Sequence, residues 1–207
     1  MLAFQRCIAY TRVISERPYK MEKDNELHVH WPLKGKIDFN MFSMRYRPTL
    51  DNVLHGVDMH IHPGEKIGIC GRTGSGKSSL ALSLFRIIEA SEGLISIDDV
   101  NINEIGLHKL RQAITIIPQE PCLFEGTLRY NIDPTGKYTD EEIETVMKRF
   151  SYDNEMQLDM NINVNGNNLS VGQKQIVCFI RAVLRNSKVM VIDEGTASID
   201  IKMKKLY

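Results

Sequence analysis

Gly71-Arg-Thr-Gly-Ser-Gly-Lys-Ser78 has the residue types and spacing to hold a chain of phosphates. Glycines at 71, 74 and 76 permit positive φ and let the backbone approach an anion closely. Consecutive N–H groups can then curl around the charge, at the start of a helix that carries partial positive charge there. Lys77 adds a full positive charge, and the Ser78 hydroxyl is a hard oxygen ligand suited to Mg²⁺. Arg72, Thr73, Ser75 and Ser79 complete the set expected around such a ligand. A second constellation lies downstream, where Val189-Met-Val-Ile precedes Asp193 and Glu194. A buried strand that ends in Asp delivers a carboxylate to the sheet edge, where α/β proteins collect ligands. Asp193 is expected to hold Mg²⁺ and Glu194 to polarise an attacking water. By itself this second pattern also fits a strand that ends at a surface acid. The phosphate loop upstream favours the chemical reading.

Elements must position these groups. Lys66–Cys70 reads as a short apolar strand feeding the loop, and Lys77 to about Glu89 as the helix leaving it. Ile37 and Phe39 alternate with Asp38 and Asn40, and Val57, Met59 and Ile61 alternate with Asp58, His60 and His62. Such alternation marks half-buried strands, and turn residues at Pro48 to Asn52 predict that the two pair antiparallel. Leu94–Ile97 and Ile114–Ile117 read as further strands, the second stopped by Pro118. Asp140–Arg149 reads as a charged helix with acids in its first turn, and 151–168 as an Asn-rich irregular stretch. Ile176, Phe179, Ile180, Val183 and Leu184 follow helical spacing within Gln173–Arg185. Val189–Ile192 is the last strand. Strands alternating with helices imply a largely parallel α/β sheet.

The chain has 207 residues, with 26 Lys+Arg against 26 Asp+Glu. Zero net charge argues against a general nucleic-acid binder, which needs surplus cations. No apolar run reaches the ~18–20 residues that span a bilayer. Residues 1–35 read as a linker, with a short helix possible over 1–15, and 36–207 as the folded domain. Cys7, Cys70, Cys122 and Cys178 form no CxxC pair and read as reduced, mostly core thiols, Cys70 as a buried strand-end thiol. The His28/His30 and His60/His62 pairs have metal-ligand spacing, but outward positions on a strand explain the second pair as well.

Leu169-Ser-Val-Gly-Gln173 opens the strongest helix, upstream of Asp193. With the phosphate loop, Gln119 after the 114–117 strand, the Asp193–Glu194 pair and Ala197-Ser-Ile-Asp200, this resembles the ATP-binding cassette family. Thr115-Ile-Ile-Pro-Gln119, Leu123-Phe-Glu-Gly-Thr127 and Asn131-Ile-Asp-Pro134 are similar to the second nucleotide-binding domain of its multidrug-resistance-associated (C) subfamily. The resemblance implies a P-loop α/β core with an antiparallel β-subdomain and a helical signature subdomain. It implies binding and hydrolysis of ATP with Mg²⁺, coupled to export through transmembrane domains outside this chain, on the cytoplasmic face of a membrane. Tyr46 would stack on adenine, and Gln119 would touch metal and attacking water. Ser170, Gly172 and Gln173 would face the nucleotide of a second cassette packed head to tail.

The chain also departs from the family pattern. The family's switch histidine lies on a strand past Tyr207, and none of the six histidines stands at its position. That strand would run between the phosphate-loop strand and 189–192, so the sheet is expected to lack a central member and the chain to be a fragment. Gly195 replaces a usual alanine, the Asn-rich stretch before Leu169 is a few residues short for the family, and Ile180 and Val183 replace smaller residues. Weak ATP binding with little turnover is therefore the alternative expectation, that of a dimerisation module. A soluble cassette ATPase acting on nucleic acid or ribosomes fits the neutral charge and the tether-like first segment less well.

Overall fold

The computed structural model describes residues 2–13, 15–150 and 156–193. Strands β1 (Ile37–Met44), β2 (Leu54–Ile61), β3 (Glu92–Ile97) and β4 (Val100–Asn101) form an antiparallel sheet in the order β2-β1-β3-β4. The expected β1–β2 pair is present, with Ile37 opposite Ile61 and Asp38 opposite His60. Alternation predicted Asp38 outward, yet it is buried. Its carboxylate is compensated by His60 Nδ1 at 2.7 Å and Lys36 Nζ at 2.9 Å. Burial opposes ionisation there, but these two partners hold the Asp38 carboxyl below its ordinary range. His60 thus has an occupation other than metal binding. Among the described residues no group of three metal-ligating side chains is assembled.

Helix α2 (Lys77–Leu84) leaves the phosphate loop but stops five residues before the expected Glu89. Arg86 adopts a left-handed φ of 50°. Arg86 N–H donates to Ser83 O and Ile87 N–H to Leu82 O, a Schellman ending. The cause is tertiary: the buried Arg86 guanidinium donates to Ile102 O, Ile105 O and Glu89. Helical periodicity along 77–89 carries no trace of those distant carbonyls.

Parallel pairing among the described residues is confined to β5 (Ile114–Ile117) beside β8 (Val189–Ile192). The expected strand at 66–70 belongs to no sheet. Ile67 and Ile69 are 44% and 50% exposed, and a methyl added at Gly68 would meet nothing within 4 Å. A strand is held by a neighbour's ladder, and this apolar run has none beside it among the described residues. Cys70 is exposed for the same reason; Cys7 and Cys122 are exposed too, and Cys178 is the buried thiol.

Helix α3 (Leu107–Ala113) runs into β5, and α4 (Leu128–Ile132), α5 (Asp140–Arg149) and α6 (Val171–Arg185) form a helical lobe. Two apolar cores result. Phe39, Phe42, Met44, Leu84, Ile95 and Ile114 centre the first, and Ile117, Leu128, Ile143, Ile176 and Phe179 the second. Strand β5 joins them, since Ile114 belongs to one and Ile117 to the other. The acids opening α5 follow a Thr139–Glu142 capping box. The stretch expected to be irregular contains β7 (Asn161–Ile162), paired with β6 (Gly126–Thr127). Asn168 stitches it by accepting from Asn163 N–H and donating to Asn161 O.

Upstream of the β-sheet lies α1 (Leu2–Thr11), followed by a strap over α3. Glu16 pairs with Arg111, Pro18 O accepts from Leu107 N–H, and Tyr19 O from His108 N–H. Asp24 accepts from Gly106 N–H at 2.8 Å. A side chain at Gly106 would lie 2.5 Å from Asp24 and 2.6 Å from Tyr19 O, so only glycine permits this approach.

Candidate functional site

Three chain segments meet at the start of α2. The 71–78 loop turns through Gly74 at φ 82° and Gly76 at φ 92°. Gly76 caps α2, and Lys77 and Ser78 open it, where amides have no intrahelical partner. Ser75 N–H donates to Arg72 O, closing the loop's own turn. Lys77 Nζ donates to Gly71 O at 2.8 Å and Arg72 O at 3.0 Å, so the ammonium folds back along the loop. Gly76 is buried against Leu54, whose Cδ2 would lie 2.8 Å from an added Cβ. That contact seats the loop on the start of β2. It also brings up the β1–β2 connection, closed by Val53 N–H to Met44 O, which carries Tyr46. The Tyr46 hydroxyl lies 2.8 Å from Ser79 Oγ on the first turn of α2.

The charge is one-sided. Among the described residues no carboxylate lies within ion-pair distance of Arg45, Arg47, Arg72 or Lys77. Gly71, Arg72, Thr73, Gly74 and Ser75 are all exposed, so the loop opens to solvent. Such a loop can take an anion in its backbone amides with cations around it.

A second group of candidate residues stands at the ends of β5 and β8. They are parallel with Ile117 opposite Ile192, so Gln119 and Asp193 leave the carboxyl ends of adjacent strands. Asp193 N–H donates to Ile117 O at 3.0 Å, fixing where the aspartate starts. Glu194 and 197–200 lie outside the described residues.

The 169–173 segment stands apart from the loop. Leu169 packs in the helical-lobe core, whereas the loop is seated on Leu54 in the other core. No hydrogen bond joins 169–173 to 71–78 among the described residues. Helix α6 starts at Val171, two residues before the expected Gln173, with Ser170 as its N-cap. Ser170 Oγ accepts from Gln173 N–H at 3.1 Å, and Gln173 Oε1 accepts from Ser170 N–H at 2.8 Å. The Ser-x-x-Gln spacing carries this capping-box signal in the sequence itself. Ser170 and Val171 are exposed, so the segment points a helix start at solvent.

Residues 54–197 match the family described as ABC transporter. The chain belongs to the ABC transporter family. All of it aligns at 47% identity with rat (Rattus norvegicus) ATP-binding cassette sub-family C member 3, of which it covers 14%. It is also 47% identical to human (Homo sapiens) sub-family C member 2, again over 100% of this chain and 14% of that protein. Among solved structures, a bacterial Atm1-family ABC exporter with ATP bound superposes with TM-score 0.83 and 26% identity. That match covers 99% of this chain and 36% of the exporter. The chain therefore has the α/β core, antiparallel β-subdomain and helical signature subdomain of the ABC fold, and it resembles sub-family C. It spans about one-seventh of these curated relatives' length. No helix among the described residues is long and apolar enough to cross a membrane.

Proposed function

We propose that this chain is the ATP-binding and ATP-hydrolysing cassette of an ABC exporter. The observation that carries this reading is the 71–78 loop. Two left-handed glycines curl it at the start of α2, with Lys77 folded along it and, among the described residues, no carboxylate within ion-pair distance of Arg72 or Lys77. Gly71, Arg72, Thr73, Gly74, Ser75, Gly76, Lys77 and Ser78 take the triphosphate, Tyr46 takes the base, and Ser79 completes the nucleotide site from beside Tyr46. The donors available for a divalent cation are the Ser78 hydroxyl, Gln119 and Asp193. All offer oxygen, the ligand type that Mg²⁺ prefers, so the residues present fit this ion. Bound there, Mg²⁺ would neutralise charge on the phosphates. Lys77 shares that work and orients the transferred group. Glu194 accepts hydrogen bonding from the attacking water, giving ADP and phosphate from ATP and water.

One cassette lacks donors on the far side of its nucleotide. Ser170, Gly172 and Gln173 supply them to a second cassette packed head to tail. The exposed start of α6 supports this, because its dipole favours a developing negative charge. Residues 1–35 act as a tether and 36–207 as the cassette, held at the cytoplasmic face by transmembrane domains. A cleft of about 710 Å³ between strap, α3 and helical lobe is lined by Trp31, Lys109, Phe124, Tyr130, Arg181 and Arg185, and suits docking of such a domain.

A second reading, a dimerising module without turnover, is favoured by the 66–70 segment, which has no ladder partner among the described residues. Purified chain is titrated with Mg-ATP and assayed for phosphate release. Binding lost in Lys77→Ala, with turnover lost in Glu194→Gln, is the expected result. Wild-type affinity retained by Lys77→Ala would refute the site. ATP-dependent dimers without phosphate release would select the second reading.

A further inference from the structure

Tyr46 is 51% exposed, yet its far end is tied down. Its hydroxyl meets Ser79 Oγ, and Ser79 is only 5% exposed. We propose that Ser79 is a positioning residue, whose hydroxyl holds the Tyr46 ring as a preset platform for a nucleobase. This rests on the nucleotide reading above.

The ring has two points of attachment. One is its own backbone, in a connection closed by Val53 N–H to Met44 O and packed through Leu54 against Gly76. The other is the hydroxyl on α2. A tyrosine side chain has two soft torsions, and fixing both ends removes most of that freedom before a ligand arrives. Ser79 is itself held, since its carbonyl accepts from Ser83 Oγ at 2.8 Å in the next turn. Ser79 lies two residues after Lys77, on the same first turn of α2. The phosphate cradle and the base platform are thus referenced to one helical turn. With its hydroxyl engaged, the ring offers a base its face, and recognition proceeds by stacking.

The role separates from phosphate binding in one measurement. Mg-ATP and Mg-tripolyphosphate are titrated calorimetrically into the full chain, Ser79→Ala, Tyr46→Phe and the double variant. Circular dichroism confirms that each is folded. Tyr46→Phe keeps an aromatic ring at an exposed position, so it remains informative even if Ser79→Ala unfolds. Each single variant should lose about fivefold in affinity for ATP relative to tripolyphosphate, the size of one net hydrogen bond. The double variant should lose no more than either single one. An unchanged ATP-to-tripolyphosphate ratio in Tyr46→Phe, or losses that multiply in the double variant, would overturn the proposal. Wild-type chain that binds neither ligand would instead overturn the nucleotide reading.

Discussion

Ser170 has two duties in the reading above, and they can be pulled apart. Its side chain caps α6, and its hydroxyl faces the nucleotide of a second cassette. Ser170→Ala removes the 3.1 Å bond from Gln173 N–H but keeps the backbone N–H from which Gln173 Oε1 accepts. Loss of an N-cap costs about 1 kcal/mol, within a range of about 0.5–2. The first turn of α6 is exposed, so water satisfies the freed amide and no larger penalty is added. With a urea slope of about 2 kcal/mol/M, the midpoint should drop by about 0.5 M. Ser170→Asp keeps a strong cap and should unfold near the wild-type midpoint. It also sets a carboxylate where the partner's γ-phosphate would sit, so ATP-driven dimerisation, read by analytical ultracentrifugation in a Glu194→Gln background, should fail. The reasoning collapses if Ser170→Ala unfolds at the wild-type midpoint, or if Ser170→Asp dimerises normally.

Arg86→Met should destabilise by about 3–5 kcal/mol in urea unfolding, because the Ile102 and Ile105 carbonyls and Glu89 lose a buried partner together. A loss under about 1 kcal/mol would refute the view that these bonds hold the end of α2. Asp133 is buried; burial opposes its ionisation, but the Tyr138 amide and Thr135 hold its carboxyl below the ordinary range. A lowered folded-state value stabilises above the unfolded pKa and is lost as pH falls through the folded one. Asp133→Asn should therefore flatten the acid limb of stability below about pH 4 and cost about 1–3 kcal/mol at neutral pH. Midpoints measured across pH 2–7 would contradict this if the two curves ran parallel.

The turn at 71–78 was legible because its geometry is local. Glycine spacing, Lys77 and Ser78 act through backbone geometry within eight residues, and the loop in the structure keeps the positive φ angles they allow. Strands β1, β2 and β5 were legible for a similar reason, as alternation or β-branched runs record which face is covered. What escaped depends on partners far away in sequence. Arg86 ends α2 through carbonyls at 102 and 105, and Asp38 is buried by Lys36 and His60. The 66–70 run was read as a strand from its own composition, but a ladder is a property of two segments. Asn168 is the intermediate case, since asparagine's local bonding was visible while its registration of β7 was not.

The strap over α3 makes a lever of the first segment. Glu16, Pro18, Tyr19 and Asp24 grip α3 at Arg111, Leu107, His108 and the preceding Gly106. Helix α3 passes without a break into β5, and β5 ends two residues before Gln119. A pull on residue 16 therefore arrives within a dozen residues at the glutamine beside the acidic end of the sheet. The same short rod leads back from Gln119 to the chain's leading segment, and its last residue, Ile117, is also packed in the core of the helical lobe.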